Sequence, residues 1–319
     1  MEEYIYMAKK ERNKGFSTFK GKVYGLEKGY KEDMSANVPY KSLRVQIRTN
    51  EDNVIFAEIY GNQNMIYAYS QQLGQTWHPD SFENRNDTPD GFNKIGVGVH
   101  DKIQELKSLE YNYDAIDLIM KIFKDGDSVF IRCDNGYRTY NDKPQKRLNI
   151  SMIARADDID FTKENFEEES NFSQEIVFES IGYSPENRGY KEVYGYVITD
   201  KNENFEKTSF LLNPKADQAV TDYLESCKFG DLIKIEGKVL NKTIYGDYIE
   251  ENNQTAGVKM IGGKSHYERQ QSNSDKPKRK IEGYFNGWVI TNVGEIEKGK
   301  YSESDFVIEN NYGDDDLPF

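Results

Sequence analysis

Two stretches of the chain carry the same run of apolar and polar positions. In the first, Ala115, Ile116, Leu118, Ile119, Ile122 and Phe123 fall at helical spacing, followed by Lys124-Asp125-Gly126-Asp127 and the strand-like Ser128-Val129-Phe130-Ile131-Arg132. In the second, Ala216, Ala219, Val220, Tyr223, Leu224 and Cys227 repeat at the same spacing, and Lys228-Phe229-Gly230-Asp231 leads into Leu232-Ile233-Lys234-Ile235-Glu236. Both read helix, Gly-Asp stop, strand. Asp142-Lys143-Pro144 and Asp275-Lys276-Pro277 then punctuate each copy before a last strand. The pattern predicts a tandem duplication with loops of unequal length.

Strand patterns lie upstream of each helix: Phe19 to Leu26, Leu43 to Ile47 and Val54 to Tyr60 in the first copy, Glu192 to Thr199 and Lys207 to Leu212 in the second. The third strand of the second copy is poorly marked. Three strands, a helix and two strands is the order of a five-stranded Greek-key barrel, the OB-fold. The expectation is therefore a mainly β chain with short helices: two tandem OB-folds and a disordered acidic C-terminal tail. Residues 1–156 form the first domain, with an insertion at 62–108; 157–188 read as a linker; 189–301 form the second, with a long loop at 240–280; and 302–319 are the tail.

Alternation assigns the faces. Leu43, Val45 and Ile47 point inward, leaving Arg44, Gln46 and Arg48 outside; Ile55, Ala57 and Ile59 point inward, leaving Phe56 and Tyr60 outside; and Lys20, Lys22 and Tyr24 form the outward set of the first strand. Cations and rings thus share one surface. The second copy offers Tyr194, Tyr196, Phe285 and Trp288, and the loops add Lys143, Lys146, Arg147, Lys278 and Arg279.

Charge at first opposes an anionic ligand, because 55 acidic residues against 42 basic ones leave a net of −13. Its location changes the inference. Residues 302–319 hold six acids and no base, so the tail carries much of that charge and the basic groups lie elsewhere. Single-stranded nucleic acid needs cations for phosphates and flat rings for bases, and stacking contributes about 1–3 kcal/mol per base whatever its identity. Two cysteines, Cys133 and Cys227, read as reduced thiols of a cytoplasmic protein, and three histidines assemble no metal cluster. No cofactor, metal or membrane partner is expected.

The chain ends in Asp314-Asp315-Asp316-Leu317-Pro318-Phe319. Three carboxylates suit a basic rim, Pro318 limits the backbone, and a terminal Phe ring suits an apolar pocket whose edge meets the α-carboxylate. This tip resembles that of the bacterial single-stranded DNA-binding protein family, which ends in an acidic Asp-Asp-Asp-Ile-Pro-Phe type segment, with Leu317 in place of Ile. The resemblance implies a protein that coats single-stranded DNA during replication, recombination or repair and recruits enzymes of those processes through the tip. That family carries one OB-fold per chain and assembles as a tetramer. Two repeats and a short tail look more like a bacteriophage- or mobile-element-encoded member, in a host bacterial cytoplasm, as monomer or dimer.

Other motifs fail on spacing or context. Gly257 to Ser265 misses the phosphate-loop spacing by one residue, since Val258 stands where the first Gly is required, and polar loop follows it. Asp157, Asp158 and Asp160 have no Lys or His at a meaningful spacing for metal-assisted hydrolysis, so no enzymatic activity is expected. The alternative reading is an acidic interaction protein that occupies host repair enzymes through its tip without binding DNA.

Overall fold

The computed structural model describes residues 11–74, 76–101, 109–141, 143–187, 189–199, 204–213, 215–248 and 279–306. Strand β1 (Gly15–Tyr24) buries Phe19 and Val23 and leaves Lys20, Lys22 and Tyr24 on its other side. The short helix α1 (Leu26–Gly29) and strand β2 (Tyr30–Ser35) lead to β3 (Val38–Arg48) and β4 (Val54–Asn62). Strands β5 (Ile66–Ser70), β6 (Thr76–Asp80) and β7 (Asn93–Lys94) form a separate three-stranded sheet, and β8 (Gly98–His100) lies parallel to a later strand. These four occupy the insertion expected at 62–108. Helix α2 (Asn112–Ile122) turns Ala115, Ile116 and Ile119 into the core, each burial worth up to about 1.5–3 kcal/mol for the larger side chains. Strands β9 (Ser128–Tyr140) and β10 (Lys143–Arg155) follow.

Strand pairing closes these elements into a ring. β1 pairs antiparallel with β3 and β9, β3 with β4, and β9 with β10, while β10 returns parallel to β4. A second ring forms from β11 (Ser170–Tyr183), β12 (Lys191–Ile198), β13 (Phe205–Leu212), helix α3 (Gln218–Ser226), β14 (Leu232–Tyr248) and β15 (Arg279–Glu297). Here β11 pairs with β12 and β14, β12 with β13, and β14 with β15, while β15 lies parallel to β13. The chain is mainly β with few short helices, as the periodicity predicts.

The repeat is exact at its turn. Gly126 and Gly230 take φ of 95° and 88°, the left-handed region where a side chain is disfavoured. Asp127 accepts from the Lys124 amide at 2.9 Å, and Asp231 from the Lys228 amide at 2.8 Å. The Gly126 amide donates to the Val23 carbonyl and the Val23 amide to that of Asp127, just as Gly230, Phe178 and Asp231 do in the second ring. Val23 therefore corresponds to Phe178, and Ser17 to Phe172.

That correspondence reveals a pseudo-dyad. β1 and β11 pair antiparallel with Ser17 opposite Phe172, its own counterpart, and with Gly15 opposite Gln174 and Phe19 opposite Ser170. The rings are joined isologously, as subunits are in a two-fold dimer. A buried polar seam lines the junction: Ser17 Oγ donates to Asn135 Oδ1 at 2.7 Å, and Asn135 Nδ2 and the Tyr137 hydroxyl both donate to Gln174 Oε1. Phe172, Phe210 and Trp288 pack beside it, with centroids 5.1–6.1 Å apart.

Three expectations need correction. The linker at 157–188 contains β11, the missing strand of the second copy; β12 and β13 are the second and third strands of that ring. It escapes a periodicity search because burial runs on both its faces and includes polar Ser170, Ser173 and Gln174, which pair across the ring junction. The tail at 302–319 is ordered at its start, where Phe306 is 8% exposed among Tyr196, Phe205, Phe229 and Tyr301. The Asp-Lys-Pro match is not structural: Asn149 corresponds to Val289, which carries Lys143 onto Gly283, and Asp275 to Pro277 lie outside the described residues.

Candidate nucleic-acid interface

The predicted alternation of the first ring is present. Leu43, Val45 and Ile47 are buried and Arg44, Gln46 and Arg48 exposed on β3; Ile55, Ala57 and Ile59 are buried on β4, with Phe56 and Tyr60 at 40% and 50% exposure. Arginines lie over rings on this surface. The Arg44 guanidinium carbon is 4.8 Å from the Phe56 centroid, and that of Arg48 is 5.4 Å from the Tyr24 centroid. Tyr60 packs against Tyr40 at 5.4 Å. Lys20 and Lys22 stand on the same side of β1, in long, solvent-exposed pairs with Glu169 and Asp158 at 3.6 Å. Such pairs contribute roughly 0–1 kcal/mol, so they hold the two ammonium groups only weakly.

This face continues into a cleft of about 320 Å³ between the rings. Arg44, Phe56, Arg138 and Arg147 line one side, and Asn241, Asn286 and Trp288 the other. Arg147 pairs with Glu58 at 3.1 Å, the one acid among the described residues that line the cleft. Lys143 is exposed near the β9–β10 turn, beside Tyr140, whose ring carries the Arg138 guanidinium at 5.4 Å. Arg138, Tyr140 and Tyr40 were not foreseen. The apolar pattern marks a strand only over Ser128 to Arg132, whereas β9 continues to Tyr140 and buries Asn135 in the ring junction.

The family profile for YorF matches residues 97–313, more than half of the sequence. The chain belongs to the YorF family. No curated protein matches it. Among solved structures, this YorF-family chain is similar to a deletion variant of the single-stranded DNA binding protein from Thermus aquaticus, with TM-score 0.37 and 9% identity over 72% of this chain and 88% of that one. It is also similar to the wild-type protein, with TM-score 0.35 and 8% identity over 73% and 87% of the two chains.

Several residues expected at the interface of this YorF-family protein are placed otherwise. Trp288 is 6% exposed in the aromatic core, so its faces are occupied. Tyr196 is covered by Phe306, stacked at 4.5 Å and 17°, and its hydroxyl donates to Glu179 at 3.0 Å. The Tyr194 hydroxyl donates to Glu192. Phe285 packs on Tyr190 at 5.3 Å. Lys146 reaches across the junction and donates to the Ser209 carbonyl, its ammonium 4.6 Å from the Phe210 centroid, and burial lowers its pKa to about 8. Lys278 and the tip residues Asp314 to Phe319 lie outside the described residues, as does the side chain of Arg279, the first residue of β15.

Proposed function

We propose that this protein binds single-stranded DNA, through the outer face of β1, β3 and β4 and the adjoining cleft. The observation that carries the reading is the pairing of Arg44 with Phe56 and Arg48 with Tyr24, since each pair presents a cation for phosphate and a ring for a base within one side chain's reach. We read both closed rings as OB-folds; in that barrel, this strand face and the neighbouring hairpin loops take oligonucleotides. The cleft arginines extend the track, and three or four stacked bases supply on the order of 3–12 kcal/mol before ordering costs, enough to offset the net charge of −13.

The role we assign is non-enzymatic and cytoplasmic: coating and protecting single-stranded DNA, with the C-terminal tip engaging replication, recombination or repair enzymes. Among the described residues no helix is long and apolar enough to cross a membrane. Titration of labelled oligo-dT at several salt concentrations tests the reading. Binding is expected, with log K falling against log salt by about 0.7 per neutralised phosphate. Absence of binding at the lowest salt overturns it.

A further inference from the structure

The rings correspond strand for strand, yet their outer faces are opposite in charge. The shared register carries Lys20, Tyr24 and Arg44 onto Glu175, Glu179 and Glu192. It carries Gln46 and Arg48 onto Tyr194 and Tyr196, and Phe56 onto Ser209. Where the first ring sets cations over rings, the second sets carboxylates beside phenols. Those carboxylates are fixed: Tyr194 donates to Glu192, while the Tyr196 hydroxyl at 3.0 Å and Lys207 Nζ at 2.6 Å both reach Glu179. Both phenols are pushed up to about 12, Tyr194 chiefly by its bond to Glu192 and Tyr196 chiefly by burial, so they remain donors to Glu192 and Glu179. Phe306 covers the ring of Tyr196 that a base would need.

We infer that single-stranded DNA engages only the first ring and the cleft, and that Glu175, Glu179 and Glu192 exclude it from the matching face of the second ring. The inference rests on the DNA-binding reading. Its geometry has a reason. A two-fold relation presents the two faces in opposite directions, while a polynucleotide strand runs in one; two equally basic faces would compete for it in opposing polarities. Reversing the charge of one face leaves a single track and a single direction.

Photo-crosslinking of the full chain to iodouracil-substituted oligo-dT, followed by peptide mapping, tests this directly. Cross-links are expected on peptides holding Tyr24, Phe56 or Tyr60, and none on residues 191–198. Arg44→Glu should lower affinity by about tenfold or more, and Tyr194→Ala should leave it within about twofold. Glu192→Arg should steepen the salt dependence by about 0.7. Glu192→Gln keeps a group that accepts from Tyr194 and removes only the charge; a gain in affinity supports the inference even if Glu192→Arg misfolds. Cross-links on 191–198, or loss of binding in Tyr194→Ala with Arg44→Glu intact, overturn it. A wild-type chain that fails to bind at the lowest salt sinks the DNA-binding reading itself, a separate outcome.

Discussion

The guanidinium of Arg44 covers the ring of Phe56 from a diagonal position across the β3–β4 pair, 4.8 Å from its centroid. The contact holds a half-exposed ring flat and keeps a cation beside it. Phe56→Ala should weaken oligo-dT binding by about 1–3 kcal/mol, the worth of one base stack. Arg44→Ala should also weaken it, and the double variant should lose less than the sum, because each single change already disturbs the shared site. A double-mutant cycle from fluorescence titrations checks this. Full additivity would mean that the two groups act separately.

Trp288 belongs to the core, against the expectation that it stacks on a base. Its ring contacts Phe172, Phe210 and Tyr137, and removal of so large a buried group costs about 3–5 kcal/mol. Trp288→Ala should lower the urea midpoint sharply, whereas Trp77→Phe, at a site 51% exposed on β6, should scarcely move it. Unchanged stability in Trp288→Ala would contradict this packing.

The contrast between these rings marks what the sequence makes legible. Leu43 to Arg48 and Val54 to Tyr60 alternate cleanly because each strand has one buried face and one wet face, so the positions of Arg44 and Phe56 follow from parity alone. β11 and the far half of β9 do not alternate, since they meet the other ring and bury polar Gln174 and Asn135 in a hydrogen-bonded seam. Nothing local marks such residues as interior. The fate of Tyr196 was hidden for a similar reason, because Phe306, distant in sequence, covers it.

Lys146 yields a pH dependence. Burial lowers its pKa from the ordinary 10.5 to about 8, so between those values the unfolded chain holds more protons than the folded one. Stability from this group therefore rises with pH across that window, as the cost of burying an ammonium is relieved. Lys146→Met removes the charge, and its stability advantage over wild type should shrink by on the order of 1 kcal/mol between neutral pH and the upper part of the window. Urea unfolding at the two pH values measures it; an advantage that grows with pH would reverse the assignment.

Asn53 ties the rings together from the β3–β4 turn. Fully buried, it donates to Glu168 Oε1 at 2.7 Å, to Thr49 Oγ1 at 3.0 Å and to the Val239 carbonyl at 3.2 Å, and accepts from the Asn241 amide at 2.7 Å. Asn53→Ala strands the Asn241 amide and weakens the hold on Glu168, so a loss of about 1–3 kcal/mol is expected. Asn53→Asp should cost more at neutral pH, because it sets a second carboxylate against Glu168. Repulsion raises the pKa of such a pair in the folded state, so that added loss should fade as pH drops and one carboxyl takes a proton. The cleft wall formed by β14 is anchored at this point, and oligo-dT affinity should fall in both variants while Arg44 and Phe56 remain in place. If Asn53→Asp is as stable as wild type at neutral pH, the side chain does not clasp the two rings.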